Sequence, residues 1–182
     1  MNRQTRSRLI LLLLAALFAA PLVAAIVLHA RGWEPERTRN HGELLRPPLD
    51  LRDLALRRAD GSRYDWEPRA RRWRIVVVPP VDCARACVEL VAGLDKVWQL
   101  QGRRADRLDV LWFAPLPAGA TPFRRLVEMK PDTALEAALP AHAATDSPAA
   151  WLVDPSGFLV MRYAPGFDVA HLREDVTLML KH

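Results

Sequence analysis

Cysteine is close to absent: the 182 residues hold two, Cys83 and Cys87. No Cys/His spacing matches a zinc site, which excludes a structural zinc fold. Glycine is sparse as well, at eight residues, and none of them forms a phosphate cradle ahead of a helix. A hydrolase nucleophile motif is missing too. Lysine numbers three against 23 arginines, an imbalance that points to coding bias rather than phosphate recognition. The formal charge of +5 includes Arg3, Arg6 and Arg8 ahead of a long apolar run, and beyond that run 23 basic residues face 21 acidic ones. No nucleic-acid partner follows from that balance. The basic run Arg69, Arg71, Arg72 and Arg74 reads as a solvated loop, with contact to a membrane surface or a partner as the second reading.

Residues 9–28 contain no charged or hydrogen-bonding side chain. Twenty helical residues span roughly 30 Å, the thickness of a bilayer's hydrocarbon core. A cleaved signal peptide is the competing reading, but signal cores run about 7 to 15 residues and end at paired small residues, and Leu28-His29-Ala30 is a poor match. An uncleaved anchor is therefore expected over residues 1–30, and Pro21 would at most kink it. The arginines before it keep the N-terminus cytoplasmic and send the remainder across, giving a single-pass bacterial inner-membrane protein with a periplasmic domain. Residues 31–50 carry Pro35, Pro47 and Pro48 with no apolar period and read as an extended tether. His41 lies in it as a solvated histidine. One folded domain is left, residues 51–182, near the usual size of about 130 to 150 residues.

Asp60-Gly61 predicts a tight hairpin turn near the start of that domain. Residues 73–78, WRIVVV, are apolar without alternation, as in a strand covered on both faces. Pro79 and Pro80 end it, Asp82 is an N-cap candidate, and a helix is expected from Cys83 to Gly102 with Cys87, Leu90, Val91, Leu94, Val97 and Trp98 on one face. Residues 108–114 predict a second buried strand. Residues 122–130 and 131–139 each open with proline and read as short helices. A hairpin turning at Pro155-Ser156-Gly157 and a helix from Asp168 complete the order. The fold class is α/β, a mixed sheet between helices.

In this order the cysteines follow the first long buried strand. With Cys83 in the first helical turn, the helix dipole and Arg85 favour its thiolate, while Asp82 opposes them. A bridge between residues four apart closes too small a loop to constrain much unfolded chain, so chemistry explains the pair better than stapling does.

The anchor, the hairpin LALRRADGSRY, the strand WRIVVV leading to Cys83-Ala84-Arg85-Ala86-Cys87, and the segment Trp151-Leu152-Val153-Asp154-Pro155-Ser156-Gly157 together resemble the Sco family. Its members are membrane-anchored proteins of thioredoxin-like fold that deliver copper to cytochrome c oxidase. The resemblance covers most of residues 51–182. It implies copper held by Cys83, Cys87 and a distant histidine, and the soft thiolates suit Cu(I). The histidine position is occupied by Asp146; His142 lies four residues earlier, and the third ligand stays unidentified. Ala84 also replaces the family's usual proline. Pro148 stands where thioredoxins and TlpA-like thiol reductases carry a cis-proline, and a cis bond there would let the site bind an extended substrate backbone. An ordinary trans proline at a strand entrance is the alternative.

The resemblance thus implies a thioredoxin-like thiol–disulfide protein of the Sco type assisting oxidase copper-site assembly, with Cys83, Cys87 and Pro148 as site residues. An oxidase subunit or another copper chaperone would be its partner. The alternatives are a Cu(I) metallochaperone using both cysteines and a non-catalytic assembly partner with a structural disulfide.

Overall fold

The computed structural model describes residues 3–31, 40–80, 83–140 and 147–181. The chain divides into two compact units, Met1–Arg39 and Asn40–His182. In the first, α1 (Arg3–Ala30) is one continuous helix through Pro21. Its stretch Ile10–Leu28, with mean hydropathy 2.9, is long and apolar enough to cross a membrane.

The second unit starts earlier than expected. Residues 43–50 of the presumed tether form strand β1 (Glu43–Asp50), which pairs antiparallel with a later strand, so the fold begins at Asn40 rather than residue 51. Two prolines concealed this strand. Pro47 and Pro48 are tolerated because β1 lies at the sheet edge, where a missing N–H breaks no second ladder. Around it come β2 (Trp73–Val78), α2 (Arg85–Leu100), β3 (Leu108–Trp112), β4 (Leu126–Glu128), α3 (Thr133–Ala138), β5 (Ala149–Val153), β6 (Phe158–Tyr163) and α4 (Val169–Met179). The six strands form one mixed sheet in the order β1-β6-β5-β2-β3-β4.

Strand β2 is hydrogen-bonded on both sides, parallel to β3 and antiparallel to β5. Its residues 74–77 are buried, as the unbroken β-branched run requires. Ile75 and Val77 face a core closed by Leu90, Val91 and Leu94 of α2 and Leu172 and Val176 of α4. Val76 faces the other core, with Leu111, Trp151, Leu159 and the α3 residue Leu135.

Residues 122–130 are not helical. Leu126 and Val127 pair in parallel with Val110 and Leu111, because β3 would otherwise leave an unpaired buried edge. The hairpin at Asp60-Gly61 forms, with Gly61 at φ +89° and the Ser62 amide donating to the Asp60 carboxylate at 2.8 Å, although its arms pair only through the Arg57–Arg63 bridge. Asp132 and Asp168 cap α3 and α4 by accepting from the Leu135 and Ala170 amides. Asp82, the expected cap of α2, lies outside the described residues.

Two polar locks hold the sheet's flanks. Arg74, expected on a solvated loop, is buried: its guanidinium donates to the Tyr64 hydroxyl and to the carbonyls of Trp66, Arg72, Asp154 and Pro155. Burial pushes the Tyr64 hydroxyl up, against the pull of that guanidinium. Asp175 of α4, fully buried, accepts from the amides of His41 and Gly42, both at 2.9 Å, and from the Tyr163 hydroxyl at 2.8 Å. Burial, reinforced by Asp175, keeps that hydroxyl protonated. His41 is thus pinned rather than free, and its ring stacks on His171 at 4.1 Å.

Replacing Asp175 with alanine strands two amides and a hydroxyl in the interior. Urea unfolding should register a loss of about 3 kcal/mol, and a loss under about 1 kcal/mol would show that the His41–Gly42 segment is held by other contacts.

Candidate functional site

The ladder of β2 stops at Val78, and Pro79 and Pro80 carry the chain off the sheet toward Cys83, whose amide donates to the Pro80 carbonyl at 3.3 Å. Helix α2 starts at Arg85, with Ala84 as a cap that offers no side chain to the helix amides. Cys83 therefore precedes the helix, which starts two residues later than expected, and Cys87 occupies its first turn. The two are joined as a disulfide with Cα atoms 5.4 Å apart. Both are buried, Cys83 at 6% exposure and Cys87 at 2%, and both belong to the core shared by α2 and α4.

The disulfide forms part of the wall of a cavity of about 700 Å³. Opposite it lie Trp112 and Phe113 at the end of β3, the loop prolines Pro115 and Pro117, and Glu136 of α3. This pocket was not legible in the sequence, because its far wall comes from segments 29 to 53 residues downstream of Cys83. Glu136 is the one charged side chain among the described residues that line it. The Trp112 indole N–H is buried and without a hydrogen-bond partner among the described residues. Arg85 takes no part in the lining; it is exposed and pairs with Glu89 at 2.8 Å.

Pro148 is brought to the cysteines' end of the sheet, since Ala149 pairs with Val78. Its peptide bond is trans; the cis bond among the described residues precedes Pro47. Nor does Pro148 line the cysteine cavity. With Ala86, Glu89, Leu90 and Phe167 it lines a neighbouring one of about 260 Å³. The strand entrance, fixed by β5's antiparallel register, determines its place.

Reduced, Cys83 and Cys87 would offer two soft thiolates to copper. As observed the two sulfurs are bonded to each other, no histidine is among the described residues lining the cavity, and no group of three His, Cys, Asp or Glu side chains converges among the described residues. Positions 142 and 146 lie outside them. What the arrangement offers is a two-electron couple, dithiol to disulfide, in an apolar cleft.

The family model for the transmembrane-like, thioredoxin-like C-terminal domain matches residues 73–182. The chain belongs to this thioredoxin-like family. No curated protein matches it in sequence. Among solved structures it is similar to BsSco, described as a member of the Sco family of cytochrome c oxidase assembly proteins with a disulfide switch, at TM-score 0.51 and 10% identity over 74% of this chain and 95% of that one. Yeast Sco1 with copper bound superposes at TM-score 0.52 and 14% identity, covering 80% and 95% of the two chains. The Xanthomonas campestris bacterioferritin comigratory protein, described for its alkyl peroxide reduction activity, gives 0.51 and 20% over 76% and 94%. These likenesses establish a common fold and leave the chemistry of this thioredoxin-like site to its own residues.

No cation stands beside the sulfurs in the described lining, and Glu136 disfavours a second negative charge there. In the reduced protein, Glu136→Gln should speed alkylation of Cys83 at neutral pH about threefold, whereas Arg85→Ala should change it by less than about twofold. Equal rates for wild type and Glu136→Gln would remove the carboxylate from the site.

Proposed function

We propose that this protein is a membrane-anchored, exported thiol–disulfide protein of the Sco type that assists copper-site assembly of cytochrome c oxidase from the periplasmic side of the inner membrane. The observation that carries this reading is a buried Cys83–Cys87 bridge opening on an apolar cavity. The Sco-type placement of the pair, directly after the central strand, and an apolar span in the same chain support it.

The reduced Cys83 thiolate attacks one sulfur of a partner disulfide; that bond breaks, a mixed disulfide forms, and the partner's other sulfur leaves as thiolate. Cys87 then loses its proton and attacks Cys83 Sγ. The second partner thiolate is released as the Cys83–Cys87 bridge closes. Two electrons pass to the partner, and its two thiolates take up the two protons the pair gives up. Cys83, the less buried of the two, is the attacking residue, and Cys87, in the first turn of α2, resolves the adduct. Pro148, packed beside Ala86 and Leu90, positions that turn.

Peroxide reduction is less well served. An O–O bond is cleaved fastest where cationic or hydroxyl groups stabilise the departing oxygen, and the described lining contains neither. Copper would be cargo rather than a resident cofactor, and a metallochaperone using Cys83 and Cys87 is the alternative, favoured by the copper bound to yeast Sco1.

Cys83→Ser should abolish disulfide exchange and oxidase copper-site assembly, and Cys87→Ser should accumulate a trapped mixed disulfide. Anaerobic titration of the reduced full-length protein should give no tight one-to-one Cu(I) complex. A tight complex would transfer the assignment to the metallochaperone. A bridge inert to reductants that open thioredoxin-like sites would make it a staple.

A further inference from the structure

A partner's sulfur meets Cys83 inside the cavity, because both cysteines are buried and both line it. At about 700 Å³ the space lies within the range of pockets that enclose a whole small ligand, about 300 to 1,000 Å³, and far exceeds one cysteine side chain. The residues flanking the partner's cysteine must fill the remainder, and two features of the lining set what they meet there.

The first is proline. Pro79 and Pro80 stand at the end of β2, Pro115 and Pro117 in the loop after β3, and Pro131 just ahead of α3. Each has a fixed φ and no N–H, so these walls hold their shape without a partner and offer its main chain no donor at those positions. Pro148, trans and lining the neighbouring cavity, stands apart from them. Recognition therefore falls on the partner's side chains. Val78, Trp112 and Phe113 complete an apolar surface that suits a bulky apolar one, and a wall already rigid loses little entropy on receiving it.

The second is charge. Glu136 of α3 is half-buried, and its carboxylate makes no ion pair or hydrogen bond among the described residues. Glu89, on the outer side of the cysteine turn, is by contrast already taken by Arg85. A carboxylate without a partner beside apolar walls is stabilised by a cation brought in from outside and repels an anion.

We propose that the cleft selects, as its redox partner, a protein segment whose cysteine is flanked by a bulky apolar side chain and by a lysine or arginine, with Glu136 as the specificity-determining residue that receives the cation. The proposal rests on the thiol–disulfide reading above, and the two fail separately in one experiment.

The reduced full-length protein, held in neutral detergent, is mixed with the symmetrical disulfides of the capped peptides Phe-Cys-Lys, Phe-Cys-Glu and Ala-Cys-Lys. Cys83 attacks one peptide sulfur, one peptide thiolate leaves, and closure of the Cys83–Cys87 bridge releases the second, so the protein is oxidised as the peptide disulfide becomes two thiols. Each rate is divided by that of the same disulfide with 2-mercaptoethanol, which removes the peptide's own reactivity. At about 10 mM salt, where the screening length is about 30 Å, Phe-Cys-Lys should react about fivefold faster than Phe-Cys-Glu. It should also outpace Ala-Cys-Lys about tenfold. Salt near 1 M and the variant Glu136→Gln should each bring the charge ratio close to one, and Glu136→Lys should invert it. That ratio is insensitive to any effect of the carboxylate on the Cys83 thiolate, which acts on all peptides alike. Asp65→Asn, which removes an exposed carboxylate outside the lining, should leave it unchanged. Equal rates for the two charges, a preference that survives Glu136→Gln, equal rates for Phe-Cys-Lys and Ala-Cys-Lys, or faster oxidation by the small, anionic glutathione disulfide overturns the proposal and leaves disulfide exchange standing. No exchange with any disulfide overturns both.

Discussion

The site depends on where the β2 ladder stops. A strand bonded on both sides can end only where its neighbours end or where it loses a donor, and Pro79 and Pro80 remove two donors in succession. The chain must then leave the sheet at its C-terminal edge and return along one face as α2, antiparallel to the strand it follows. Cysteines placed between strand and helix arrive at the open end of a parallel strand pair, where α/β folds leave room for a ligand. Core packing takes up the rest: Cys87 shares its helical face with Leu90, Val91 and Leu94, so the bridge is built into the hydrophobic layer.

That embedding sets the chemistry. Sulfurs in an apolar wall, with Glu136 as the charge in the described lining and Arg85 held by Glu89 on the surface, lack the electrostatic help that turns a thiol into a ready nucleophile at neutral pH. The same fold supports copper binding in one similar structure and peroxide reduction in another. At the mouth of this cleft stand the two sulfurs, apolar groups and Glu136, and it is these side chains that set what the shared fold does here.

Stability is anchored elsewhere, by two buried charges. Arg74 gathers carbonyls from the loop before β2 and the turn after β5, and Asp175 draws the Asn40–Gly42 segment onto α4. Each compensates its own desolvation with several hydrogen bonds, which is the condition for a charge to lie inside a protein. Arg74 does this at the end of the sheet away from the cysteines, whereas Asp175 fastens the start of β1 at their end, beside Tyr163, whose strand neighbour Ala150 pairs with Val77.

Local pattern was enough for much of the architecture. Four consecutive β-branched residues before two prolines marked the buried strand, Asp168 and a helical apolar stripe marked α4, and the rarity of cysteine singled out the pair. These features are written in neighbouring residues, so they survive without tertiary information. Strands β1 and β4 were hidden because each is made by an edge that needs a partner, and that partner lies more than a hundred residues away for β1 and on β3 for β4. The trans bond at Pro148, the burial of Arg74, the diversion of Arg85 and the appearance of Glu136 in the cavity were likewise decided by packing. The sequence by itself determined which sulfurs could react; only the tertiary structure decided what surrounds them, because a cavity wall is assembled from segments that share no local pattern.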